Sequence, residues 1–114
     1  MNHLLQRLAE AWNAGDAAAY ADLFTEDADY ITYFGLHLRG REAIEATHRK
    51  LFELPIKIDM GVGEPQVKEL APTVRQAIVQ GGSNGRASVV SFTAVETGEG
   101  WRFAFFQNTR VTKP

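Results

Sequence analysis

The sequence predicts an α+β fold, with three helices packed on one face of a curved antiparallel sheet. Three observations carry this expectation. Apolar residues recur at helical spacing only before Pro55, they fall in alternating extended runs only after it, and short glycine-rich clusters join those runs.

The first helix is expected to end near Asn13, because Leu4, Leu8, Ala11 and Trp12 stand at i, i+4, i+7 and i+8 and form one apolar stripe. Gly15 stops it, and Asp16 is placed to cap a second helix from Ala17 to Phe24, with Tyr20, Leu23 and Phe24 on its buried side. Thr25-Glu26-Asp27 reads as one further turn. The β-branched and aromatic run from Asp29 to Phe34 then favours a strand, which Gly35 turns back through Leu36 to Arg39 as a short hairpin. A third helix follows Gly40, from Arg41 to Glu53, with Ile44, His48, Leu51 and Phe52 on one face and Pro55 beyond its end.

After Pro55 the period changes to two. Ile56, Ile58, Met60 and Val62 alternate with Lys57 and Asp59, and pairing resumes from Val67 to Leu70 after an interruption at Gly61, Gly63 and Pro65 that lets a sheet bend. Three more strands are expected at Thr73–Gln80, Arg86–Glu96 and Trp101–Val111, joined by the clusters at 81–85 and 97–100. Hairpin connections of this kind make an antiparallel sheet. A ferredoxin-like arrangement needs a second crossover helix, and nothing after Pro55 has helical spacing.

Length and composition bound the rest. A chain of 114 residues buries roughly two-thirds of its unfolded surface around one core, and there is no repeat, linker or low-complexity tract, so a single domain over 1–114 is expected. Twelve basic and fourteen acidic residues leave a net charge of -2, with no basic cluster longer than His48-Arg49-Lys50, which argues against nucleic acid or anionic membranes as partners. The absence of cysteine excludes disulfides, thiolate nucleophiles and Cys-based metal sites. The N-terminus carries Glu10 and Asp16 in place of the apolar run of a signal peptide, and no stretch approaches the roughly 20 apolar residues of a membrane span; a soluble, cytoplasmic protein is expected.

Five stretches resemble a known family. They are Ala11-Trp12-Asn13-Ala14-Gly15-Asp16, the run from Leu23 to Tyr30, Leu38-Arg39-Gly40-Arg41-Glu42-Ala43-Ile44, His48-Arg49-Lys50-Leu51-Phe52, and the run from Trp101 to Arg110. Together they resemble the SnoaL-like branch of the nuclear-transport-factor-two-like superfamily, within it the SgcJ/EcaC group, in that family's order and over nearly the whole chain. The resemblance implies a cone-shaped, cystatin-like fold with a cavity between sheet and helices, and a homodimer formed through the outer sheet face. The superfamily includes isomerases, dehydratases, polyketide cyclases and epoxide hydrolases as well as binding and assembly modules, so fold alone does not choose an activity. One departure is visible: where the family carries a longer excursion between Gly81 and Ser88, this chain has a tight Ser83-Asn84-Gly85 turn, which alters the rim of any pocket there.

His48 is the candidate catalytic residue. It shares the inward helical face with Ile44, Leu51 and Phe52, and an imidazole there is either an acid or base near neutral pH or a neutral histidine held by the backbone. On the last strand Asn108 and Gln107 face opposite ways; following the family pattern, Asn108 and Phe106 look into the cavity, where a strand amide orients a carbonyl or hydroxyl. Trp12, Tyr33, Phe52, Phe106 and Asn108 are the candidate ligand-binding residues, each with core packing as its plainer account. Tyr20, Tyr30 and Tyr33 could donate hydrogen bonds to a developing oxyanion, with core packing and a wet hydroxyl end as the plainer account; Arg75 could clamp a carboxylate in the cavity but reads rather as a solvated strand position, and Asp29 as a cap or a partner of Arg39 or Arg41. His3 and His37 read as surface positions. No metal-ligand spacing links them to His48, and no Gly-rich nucleotide loop is present, so neither metal nor cofactor is expected.

The ketosteroid isomerase mechanism fits poorly. It needs a carboxylate base on the first strand, where this chain has Thr32-Tyr33-Phe34-Gly35, and a helix tyrosine where Leu8 stands. Epoxide hydrolysis of the limonene type wants an inward trio of two carboxylates and an arginine, which is not found. Two readings stay open. One is an isomerase, cyclase or dehydratase acting through His48 on a hydrophobic, carbonyl-containing substrate; the other is a non-catalytic ligand-binding or dimeric assembly module.

Overall fold

The computed structural model describes residues 1–54, 61–62, 64–83 and 86–111. Helix α1 (Asn2–Ala14) turns Leu4, Leu8 and Ala11 inward, as the stripe requires. Its end is a glycine motif: Gly15 takes φ +67°, its N–H reaches Trp12 O, and Asp16 N–H reaches back to Ala11 O. Asp16 then caps α2 (Ala17–Asp22), accepting a 3.0 Å bond from Ala19 N–H, and the helix buries Ala17, Tyr20 and Ala21.

The expected continuation of α2 through Phe24 and the extra turn at Thr25–Asp27 do not form. Strand β1 runs Phe24–Ile31 and begins where helix was expected. The reason is tertiary. Leu23 O accepts from Phe103 N–H at 2.8 Å, and the buried Phe24 ring lies against Phe103, Tyr20 and Tyr30, so pairing to the last strand overrides local preference. The strand also stops at Ile31 rather than Phe34. Thr32 closes a tight turn to Leu36, and β2 (His37–Arg39) returns antiparallel with Tyr30 opposite Leu38.

Helix α3 (Arg41–Phe52) ends one residue before the expected Glu53, burying Ile44 and His48 and leaving Leu51 and Phe52 half-buried. The alternating run at Ile56, Ile58 and Met60, the stop at Pro55 and the turn at Asn84-Gly85 lie outside the described residues. Strands β3 (Gly61–Val62) and β4 (Gln66–Ala71) both pair antiparallel with β5 (Val74–Ser83), and the β4 register shifts between Glu69 and Ala71. Strands β6 (Arg86–Thr97) and β7 (Gly100–Arg110) complete a curved, unclosed sheet ordered β2-β1-β7-β6-β5-β3, with β4 also on β5.

The sheet is mixed, which corrects the all-antiparallel expectation. The short turns do give antiparallel neighbours, but β1 and β7 meet across most of the chain and pair parallel. A register shift at β6 Thr93–Ala94 lets both Phe103 and Phe106 face inward, beside Phe92, Ala94, Ala77 and Val79. The three helices lie over this face, contributing Leu8, Tyr20 and Ile44 to the same core. No helix among the described residues is long and apolar enough to cross a membrane.

Candidate ligand cavity

The parallel pairing of β1 with β7 builds the site. Tyr30 and Phe106 are register partners, and their rings stack with centroids 3.9 Å apart and planes 6° from parallel. Because the two strands run the same way, the next inward residues, Thr32 and Asn108, advance together beyond the stacked pair. Helix α3 passes above, and with Trp12 of α1 it closes a cavity of about 430 Å³ that touches His48, Tyr30, Tyr33, Phe106 and Asn108. Tyr33, Phe34 and Leu54 line it while being more than half exposed, so they form its mouth.

His48 is 3% exposed, and both ring nitrogens are engaged. Nδ1 lies 2.7 Å from Ile44 O, which can only accept, so Nδ1 carries the proton. Nε2, 3.0 Å from the Tyr30 hydroxyl, is then the acceptor, and Tyr30 donates to it. Tyr30 in turn accepts from the Tyr20 hydroxyl at 2.8 Å. The proton order along Tyr20, Tyr30 and His48 is thereby set by one carbonyl, provided the imidazole is neutral. Burial favours that state: desolvation holds the His48 pKa below its usual value, against the opposing effect of the Ile44 bond. Desolvation also pushes both tyrosines up, so neither phenol ionises near neutral pH.

Asn108 presents a contrast. The residue lines the cavity, but its Oδ1 is occluded from it and has no hydrogen-bond partner. Of the six residues expected to form the site, Trp12, Tyr33, His48, Phe106 and Asn108 line the cavity. Phe52 does not. It packs edge-on against Trp12 at 5.2 Å and borders a separate open groove with Gly15 and Arg49. Being one residue past Leu51 at the helix end, it is rotated behind the cavity wall.

Tyr30, Thr47 and Leu51 also line the cavity. Tyr30 is among the tyrosines the sequence offers as hydrogen-bond donors, and its strand neighbours Asp29 and Ile31 point the other way, whereas Thr47 carries no signal beyond adjacency to His48. Arg75 shares the inner face but stacks over Trp101 at 4.5 Å, away from the cavity lining. Asp29 pairs with exposed His37 at 2.8 Å instead of with Arg39 or Arg41; Arg41 donates to Phe24 O. His3 is exposed, and among the described residues no three His, Asp or Glu side chains converge as metal ligands would.

The same fold recurs in solved structures. A cystatin-like domain of unknown function from Nostoc punctiforme is 26% identical, with 97% of this chain and 75% of that one covered and a TM-score of 0.85. A nuclear-transport-factor-two-like protein from Novosphingobium aromaticivorans is 25% identical over 98% of this chain and 80% of its own, with a TM-score of 0.81. An uncharacterised protein with a cystatin-like fold from Caulobacter vibrioides, 24% identical over 97% and 87%, superposes with a TM-score of 0.85. No curated protein matches the chain. The profile of the SnoaL-like domain matches residues 5–112, all ten elements but the first three residues of α1 included, and the chain belongs to that family.

Proposed function

We propose that this protein binds a small, largely apolar molecule in the cavity between α3 and the β1–β7 pair, and that His48 holds Tyr30 in place without itself touching the reacting atoms of a substrate. One observation carries the reading. The cavity has room for a small ligand and an aromatic lining, while the imidazole within it has no unoccupied nitrogen. A general base must reach the proton it removes, and here Nε2 is already taken by a phenol. Isomerase, cyclase or dehydratase chemistry through His48 would first have to break that bond.

The test is thermal shift with naphthalene as the probe, on the wild type and on Thr47→Trp, which fills the cavity from α3. A ligand selective for the folded state raises Tm in proportion to RT ln(1 + [L]/Kd). The reading expects a rise in the wild type that is lost in Thr47→Trp. No rise, or an equal rise in both, overturns it.

Self-association is part of the same proposal. The outer sheet face carries the half-exposed Val89, Val95 and Phe105 together with Ile78, an apolar surface suited to a second copy of the chain. Light scattering on the wild type and on Phe105→Lys decides it: a dimer that Phe105→Lys dissociates is expected, and a monomeric wild type rejects it.

A further inference from the structure

The charge of the cavity lining, and the sense of its hydrogen-bonding groups, specify the ligand more closely than the volume does. We infer that the ligand is an aromatic or alicyclic carboxylate, its rings inside the cavity and its anionic group at the mouth beside Lys50. This inference rests on the proposed binding function and narrows it to one class of molecule.

Lys50 supplies the charge. It stands on α3 with Thr47 and Leu51 at i, i+3 and i+4, a spacing that turns all three to one side of the helix, and all three line the cavity. No other Lys, Arg, Asp or Glu belongs to that lining. The acids nearby in sequence are directed elsewhere: Glu53 borders the separate groove with Phe52, and Glu45 is taken by Arg49 at 2.9 Å. Among the described residues Lys50 makes no ion pair. An ammonium group without a counter-charge at the rim of an apolar cavity is complemented by a ligand that brings a negative charge.

The neutral polar groups agree with it. Asn108 Oδ1 is occluded, so the end of the amide that the cavity meets is Nδ2, which can only donate. Thr32 Oγ1 already accepts from Leu36 N–H at 3.1 Å, which leaves its own hydrogen to give. The hydroxyls of Thr47 and Tyr33 are uncommitted among the described residues and can donate as well. The imidazole acceptor, by contrast, is spent on Tyr30. A carboxylate is acceptor-only, and bonds from neutral donors to an ionised acceptor are the stronger kind.

The same lining places the two ends of the ligand. The stacked rings of Tyr30 and Phe106, with Trp12 also in the wall, suit a flat ring system. A charge carried in beside them would lose its water with no cation to meet it, since burial keeps His48 neutral. At the mouth, where Tyr33 and Leu54 are more than half exposed, the anion keeps part of its hydration and gains Lys50.

The experiment measures equilibrium binding of naphthalene, 2-naphthoate, methyl 2-naphthoate and 2-naphthylmethylammonium to the wild type and to Lys50→Met at pH 7.5 and low ionic strength. In the wild type, 2-naphthoate is expected to bind at least about tenfold more tightly than its neutral ester, the ratio that one exposed ion pair and one charge-assisted hydrogen bond supply together. The ammonium probe binds weakest of the four. In Lys50→Met the advantage of the acid over the ester shrinks at least about threefold, while naphthalene binding and the ligand-free Tm stay as they were. A wild type that binds the acid no more tightly than the ester overturns the inference, and so does an advantage that Lys50→Met leaves intact; naphthalene binding then keeps the cavity reading. Failure of all four probes to bind the wild type removes both.

Discussion

His48 Nε2 accepts a hydrogen bond from the Tyr30 hydroxyl across 3.0 Å, joining α3 to β1 through the lining of the cavity. Both partners are buried, and the Tyr20 hydroxyl stands behind Tyr30 as the first donor of the chain.

This directional order makes the two tyrosines unequal. Tyr30→Phe leaves both His48 Nε2 and the Tyr20 hydroxyl without partners, and is expected to cost about 1–3 kcal/mol. Tyr20→Phe removes only the outermost donor and should cost less. The double variant is expected to fall short of the sum, as coupled neighbours do. Urea denaturation at pH 7 measures all three, and equal single costs that simply add would contradict the proton order.

Stability should depend on pH through His48. Its folded pKa lies below that of the unfolded chain, near 6.5. Above that value both states are neutral and pH has no leverage through this group. As pH falls below about 6.5 the unfolded state takes up a proton that the native state refuses, so stability declines, by at most about 1.4 kcal/mol per pH unit, until the folded pKa is reached. Thermal melts between pH 7.5 and 4.5 should show this slope in the wild type and a shallower one in His48→Gln. Identical slopes would mean that the imidazole is not buried neutral.

Gly40 sets where α3 begins. It takes φ +89°, its N–H reaches Ala28 O at 2.7 Å, and a Cβ placed on it would lie 3.1 Å from Glu26 O. Gly40→Ala therefore combines an unfavourable backbone conformation with a contact to backbone that cannot swing aside. A loss of about 1–3 kcal/mol is expected by chemical denaturation, and a variant as stable as the wild type would refute the placement.

Asp16 links α1 to α2 by accepting from Ala19 N–H. Asp16→Ala should cost about 1 kcal/mol and Asp16→Asn much less, because asparagine caps equally well. If the two substitutions are equally costly, capping is not what Asp16 contributes.

Several features were legible in the residues alone. The stripes Leu4–Leu8–Ala11 and Ile44–His48 determine the buried faces of α1 and α3, because helical geometry puts residues four apart on one side whatever the helix meets. The same geometry turned His48 inward. Alternation on β7 likewise placed Asn108 with Phe106 and Gln107 opposite. Asp16 and Gly15 marked the joint between the first two helices through local backbone chemistry that needs no distant partner.

Other features depended on contacts between residues far apart in the chain. Thr25-Glu26-Asp27 has no apolar residue to declare its period, and it became strand because Phe24 and Leu23 dock on Phe103. The parallel direction of β1 against β7 follows from no turn, and it alone brings Thr32 and Asn108 to the same end of the stacked Tyr30–Phe106 pair. Phe52 lies on a stripe only approximately, and a rotation of one residue put it behind the wall. Periodicity constrains which side of an element is buried; the empty volume, the orphaned Asn108 oxygen and the proton order through Tyr30 arise only when separate elements are packed at fixed distances.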